Sequence, residues 1–138
     1  MIKWAGWLIA IFGAAHTLLA LTVEEAGSHA GDWFGGELWG DDLSAMSSAN
    51  SAYWLSWNSF GPPLVLIGLT VLWLDRRGIV PPAFIAWVLG VWAVGDIVVL
   101  GTSPSPVILL ASVLLLVGAR RAARLGGPAP AADTTRAP

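Results

Sequence analysis

The sequence contains no cysteine, which excludes disulfides, thiol nucleophiles and thiolate metal sites. Charge is scarce as well. Only 12% of the residues are Asp, Glu, Lys or Arg, against roughly 25% in a soluble domain. So little charge cannot cover a water-facing surface, so a disordered chain and an ordinary soluble enzyme are excluded. Basic residues do not dominate: 7 Lys and Arg stand against 9 Asp and Glu, for a formal net charge of −2. Recognition of a polyanion needs a basic patch, so nucleic acid is excluded as a partner. No Ser/His/Asp triad motif, phosphate-cradling glycine loop or zincin motif is present. What the 138 residues do hold is apolar: a 56% hydrophobic share and a mean hydropathy of +0.70. That is the composition of an integral membrane protein.

Four apolar stretches carry this signal, at about 4–22, 51–74, 81–100 and 104–119. A hydrocarbon core of ~30 Å takes about 20 helical residues. The fourth stretch is short, and arginines at its end can complete it by snorkelling. The stretches lack the alternation of a barrel, and in lipid the backbone must satisfy its own hydrogen bonds. The sequence therefore predicts an all-α, four-transmembrane-helix bundle over residues 1–122, with a flexible cytoplasmic tail over 123–138. The first stretch, with one preceding charge and a long apolar run, reads as an uncleaved helix. Pro63 removes an amide donor from the second stretch, and its ring presses on the carbonyl of Ser59 in a continuous helix, so a bend or helix start is expected at 58–63.

Charge placement gives an orientation. Lys3 precedes the first stretch, Arg76 and Arg77 lie between the second and third, and Arg120, Arg121 and Arg124 follow the fourth. The segment between the first and second stretches has no Lys or Arg and six carboxylates: Glu24, Glu25, Asp32, Glu37, Asp41 and Asp42. The positive-inside rule then puts both termini in the cytoplasm and residues 23–49 outside, in a multi-pass protein of the plasma membrane. Trp33, Phe34, Leu38 and Trp39 of this outer segment are expected to lie on the interface, aromatics down and acids up. Glu25, His29 and Asp32 fall on one helix face, a spacing that can bind an ion. Gly27 and Gly31 weaken such a helix, so no metal site is assigned.

Titratable residues inside a span are functional-site candidates by default. His16 and Asp96 are the two here, with Asn58 and Ser112 as weaker polar cases. At 1.5 Å per residue they lie about 9, 6, 10 and 12 Å below the outer ends of their spans, in one layer of the outer leaflet. Trp92 shares a helix face with Asp96, Phe12 shares one with His16, and Trp57 adjoins Asn58. An apolar aromatic floor with a few convergent polar groups is the anatomy of a small-molecule site. Three readings stay open for the titratable pair. His16 and Asp96 can pair structurally, Asp96 can cap the outer turn near Thr102 and Ser103, or both can serve a ligand or a reaction.

Several short runs resemble a small four-helix membrane family of unknown function from actinobacteria and their relatives. They are Trp4-Ala5-Gly6-Trp7-Leu8, Gly13-Ala14-Ala15-His16, Gly36-Glu37-Leu38-Trp39-Gly40, Phe60-Gly61-Pro62-Pro63-Leu64 and Arg76-Arg77-Gly78. The shape is similar to that of DoxX-like bundles, which have quinone or redox associations; no quinone motif occurs here, so the resemblance implies the shape and not that activity.

The expected function is a membrane protein with an outward-facing pocket in the outer leaflet, holding a hydrophobic small molecule such as an isoprenoid, quinone or lipid. Asp96 and His16 meet the polar end, and if the protein is an enzyme they form the catalytic pair of an acid–base isomerase or cyclase. Asn58, Trp57, Trp92, Phe12 and Ser112 line the ligand site. No cofactor is expected beyond the ligand itself, and membrane lipid is a partner. Two alternatives have their own logic. Gly6, Ala10 and Gly13 can bring helices close in a homo-oligomeric transporter or channel. The chain can also serve as a structural accessory subunit beside another membrane protein.

Overall fold

The computed structural model describes residues 1–101 and 103–125. Among them the chain is helical: α1 (Ile2–Thr22), a short 3-10 helix (Ala26–His29), α2 (Ala30–Gly35), α3 (Ser48–Leu55), α4 (Gly61–Arg76), α5 (Ala83–Leu100) and α6 (Pro106–Leu125). Three of these, Ile2–Thr22, Ala83–Leu100 and Pro106–Arg124, are long and apolar enough to cross a membrane. The chain is thus built as a membrane protein. The tail expected at 123–138 begins inside α6, and from residue 126 onward it lies outside the described residues.

The stretch expected as one span over about 51–74 is two helices, α3 and α4, separated at 56–60. The break lies where Pro63 demands it. Pro62 and Pro63 fall in the first turn of α4, where backbone amides have no intrahelical acceptor anyway. Serines satisfy the freed backbone of the link. Ser56 Oγ donates to the Ala52 carbonyl at 2.6 Å, Ser59 Oγ donates to the Ser56 carbonyl at 2.7 Å, and the Gly61 amide donates to Ser59 Oγ at 3.2 Å. With 16 residues, α4 is about 24 Å long, short of the ~30 Å hydrocarbon thickness.

The helices pack chiefly as α4 on α1, α1 on α6, and α6 on α5. The core is Ala5 and Ile9 of α1, Leu64 and Val71 of α4, Ala86, Leu89 and Ala93 of α5, and Ile108, Ala111 and Leu115 of α6. Glycine brings α1 and α4 together. A Cβ placed on Gly68 would lie 2.5 Å from the Ala10 nitrogen and 2.7 Å from the Gly6 carbonyl oxygen. One placed on Gly13 would lie 2.5 Å from the Gly61 carbonyl oxygen. The two backbones therefore touch, leaving no space for a side chain. Apolar lipid gives helices no hydrophobic reason to associate, so close approach and dispersion supply the stability instead.

The two ends of the bundle differ in charge. At one end, Met1, Ile2, Asp75, Gly118 and Arg121 line one hollow of about 290 Å³, so the start of α1 and the ends of α4 and α6 meet there. Lys3, Arg76, Arg77, Arg120 and Arg124 belong to the same helix ends. Arg77 also lies over the Trp73 ring, 4.5 Å from its centroid. The opposite end carries residues 23–49, with their six carboxylates.

Candidate functional site

The acidic segment folds on itself. Asp41 Oδ2 accepts from both the hydroxyl (2.8 Å) and the amide (3.2 Å) of Ser47, the N-cap of α3. The Ser47 hydroxyl in turn accepts from the Asn50 amide at 3.2 Å. Hydrogen bonds from the Ser47 and Asn50 side chains, then the Ser47 amide, hold the Asp41 carboxyl below its ordinary 3.8. The Ser44 amide and hydroxyl lower Asp42 in the same way. Across the segment, the Trp33 indole N–H donates to the Ala49 carbonyl at 2.8 Å, and the Trp33 and Tyr53 rings meet edge-on, 5.7 Å between centroids.

These contacts stand α2 against α3 and leave a cavity of about 530 Å³ lined by Trp33, Phe34, Leu38, Trp39, Tyr53 and Trp57. The volume falls within the ~300–1,000 Å³ of small-molecule pockets. Phe34 and Trp39 keep 91% and 89% of their surface exposed, so this rim is not covered by the other described residues. The aromatics are gathered around a hollow, a step beyond the flat interfacial arrangement expected from the sequence.

A second aromatic group lies at the same end, inside the bundle. His16 stacks on Phe60 with centroids 4.1 Å apart and an interplanar angle of 27°. Phe60 also meets Trp92 at 5.2 Å and Phe12 at 6.3 Å. The link between α3 and α4 places Phe60 here, three residues after Trp57 of the outer cavity. His16 Nε2 is shut off from solvent and has no hydrogen-bond partner among the described residues. A buried polar atom without a partner costs about 1–3 kcal/mol and calls for an explanation.

The residues expected in one layer are thus distributed over several places. Phe12, His16 and Trp92 do come together, through Phe60. Trp57 faces the outer cavity, and Asn58 is exposed on the link, its amide donating to the Tyr53 carbonyl at 2.9 Å. Ser112 is buried between α5 and α6, where its hydroxyl donates to the Leu109 carbonyl at 2.8 Å and borders an apolar groove of about 310 Å³. Asp96 has taken partners from its own turn: the hydroxyls of Ser103 and Ser105 both donate to Oδ2. The acid thereby ties the end of α5 to the start of α6, and no hydrogen bond joins it to His16. Thr102, the other residue of that expected cap, lies outside the described residues. His29 Nδ1 and Asp32 Oδ2 approach to 3.1 Å, without Glu25. Glu25 stands at φ 57°, where the chain turns out of α1, so the three do not share one helix face. No group of three metal-ligating side chains occurs among the described residues.

Sequence reading missed Phe60 and Tyr53, and it took Trp33, Phe34, Leu38 and Trp39 as interfacial anchors and not as cavity lining. The signal for Phe60 was its position against the Gly61-Pro62-Pro63 break. Tyr53 gave none, because its role depends on Trp33, which is 20 residues away.

A family model described as a family of unknown function (DUF6463) matches residues 1–122, and the chain belongs to that family. No curated protein and no solved structure matches it.

Proposed function

We propose that this DUF6463 member is a multi-pass membrane protein that holds a hydrophobic small molecule in the aromatic cavity at its acidic end. The observation that carries the reading is the cavity itself: five aromatic side chains and Leu38 line a hollow of about 530 Å³ that is open at its rim, where Phe34 and Trp39 stand. His16, whose Nε2 is unpartnered among the described residues, lies at the same end of the bundle but is not among the residues that line the cavity. Phe60 stacks on that ring, and Phe12 and Trp92 meet Phe60 in turn. Asp96 fixes the turn between α5 and α6 at the same end. The reading is one of binding: acid–base isomerisation or cyclisation needs a proton path between His16 and Asp96, and Asp96 Oδ2 is engaged by two serines.

The same proposal includes four crossings, with α4 completed by the 56–60 link, and an orientation with both termini in the cytoplasm. The gathering of the basic helix ends around one hollow supports it. The test is mass spectrometry of molecules that co-purify with the full chain in mild detergent. An apolar species near one equivalent, lost from Trp39→Ala and Trp57→Ala, is the expected result. Equal recovery from the wild type and both variants would overturn the reading.

A further inference from the structure

The cavity residues also say what kind of ligand fits. We propose that the aromatic cavity selects a ligand with a permanent positive charge on an apolar body, of the quaternary ammonium class; this deepens the binding reading above and rests on it. Indole, phenol and phenyl faces attract a cation within about 6 Å of their centroids, and most strongly when water is excluded. Trp33, Phe34, Trp39, Tyr53 and Trp57 supply five such rings around one cavity. Interfacial anchoring explains rings standing singly at a membrane surface, but five around one hollow go beyond it.

The surroundings have one sign. No Lys or Arg occurs from residue 4 to residue 75, and six carboxylates lie in residues 23–49. Three of these are chain neighbours of the lining: Asp32 precedes Trp33, Glu37 precedes Leu38, and Asp41 follows Trp39 by two positions. Successive Cα atoms are about 3.8 Å apart, so these acids border the lining along the chain, although none of them lines the cavity itself. Asp41 and Asp42 keep their charge well into acid, because serine hydrogen bonds stabilise the ionised form. An anionic head would find no cation here. Of the donors in the lining, the Trp33 N–H is committed to the Ala49 carbonyl. The one histidine of the segment, His29, is held by Asp32.

A trialkylammonium group can come from a lipid headgroup or from a free amphiphile, and the test separates the two. The full chain is reconstituted in phosphatidylglycerol nanodiscs and titrated with benzyltrimethylammonium and with choline. 3,3-Dimethylbutan-1-ol, the uncharged isostere of choline, is the control. Binding is read as a saturable change in tryptophan fluorescence, with co-purification of apolar molecules measured on the same preparation. The proposal expects saturable binding of both cations, at least tenfold tighter for choline than for its isostere, lost in Trp39→Ala and weakened several-fold in Glu37→Gln. Nanodiscs of phosphatidylcholine blunting that response identify the headgroup source, and an unchanged response identifies the free amphiphile. Equal binding of choline and the neutral isostere, or cation binding that survives Trp39→Ala, would overturn the cation proposal while leaving the cavity as an apolar site. No saturable binding of any probe, together with no co-purifying species sensitive to Trp39→Ala, would overturn the underlying binding reading as well.

Discussion

The seam between α1 and α4 and the cap formed by residues 23–60 use glycine and aromatic residues to opposite ends. In the seam, Gly13, Gly61 and Gly68 remove side chains so that backbone meets backbone. In the cap, five aromatic rings line one hollow without closing it, and about 530 Å³ stays free. The seam is a solution to stability in lipid, where only close packing holds helices together. The cap has no comparable packing: of its aromatic side chains Phe34 and Trp39 stay almost wholly exposed. A region with few buried contacts is the region that can be spent on binding. The comparison thus locates folding in the seam and function in the cap, and each side can be broken separately.

The largest effect belongs to the seam. Gly68→Ala puts a Cβ 2.5 Å from the Ala10 nitrogen, a backbone atom that cannot move aside alone. Overpacking of this kind costs up to about 3 kcal/mol, so a substantial fall in detergent-phase thermal stability is expected. A variant as stable as the wild type would show that the helices do not touch there.

The turn between α5 and α6 comes next. Asp96→Ala removes the acceptor for the Ser103 and Ser105 hydroxyls and is expected to lower thermal stability by less than Gly68→Ala does. Asp96→Asn keeps an oxygen acceptor and is expected to cost less. The His16 ring resonance in NMR should hold its position in both variants, because the two residues share no hydrogen bond. A large shift of that resonance would reinstate the direct coupling.

The cap gives a smaller change in free energy with a different signature. Trp39→Ala is expected to weaken ligand binding at least tenfold, about 1.4 kcal/mol, while changing stability by no more than about 0.5 kcal/mol. Loss of both in parallel would place Trp39 in the folding half of the comparison.

The smallest effect is one of pH. The folded-state pKa of Asp41 lies below its ordinary 3.8. Its hydrogen bonds to Ser47 therefore contribute fully above that ordinary value and are lost as pH falls through the lowered one. Hydrogen exchange at the first turn of α3 should stay slow as pH is brought down to the ordinary carboxylate range and then rise relative to its intrinsic rate. Asp41→Asn should remove the step, and a step persisting in that variant would assign it to another group.

What was legible in the sequence follows range. The helices of the bundle came from composition, and the start of α4 from Pro62 and Pro63, because proline acts on its own turn. Gly6, Ala10 and Gly13 read as a close-contact stripe, but their partners Gly61 and Gly68 required the tertiary pairing. Depth along a span put His16 and Asp96 in one layer without giving the face each presents. A local turn decided Asp96, whose serine partners are seven and nine residues on. The cavity depended on Trp33 reaching Ala49, 16 residues away across an irregular segment, and no periodicity encodes that contact.

The most direct test of the central claim is an experimental density map of the full chain, purified from membranes in mild detergent. Density for a bound molecule is expected among Trp33, Trp39, Tyr53 and Trp57. A cavity filled only by water, or closed by collapse of the Trp39 and Trp57 rings onto each other, would contradict it.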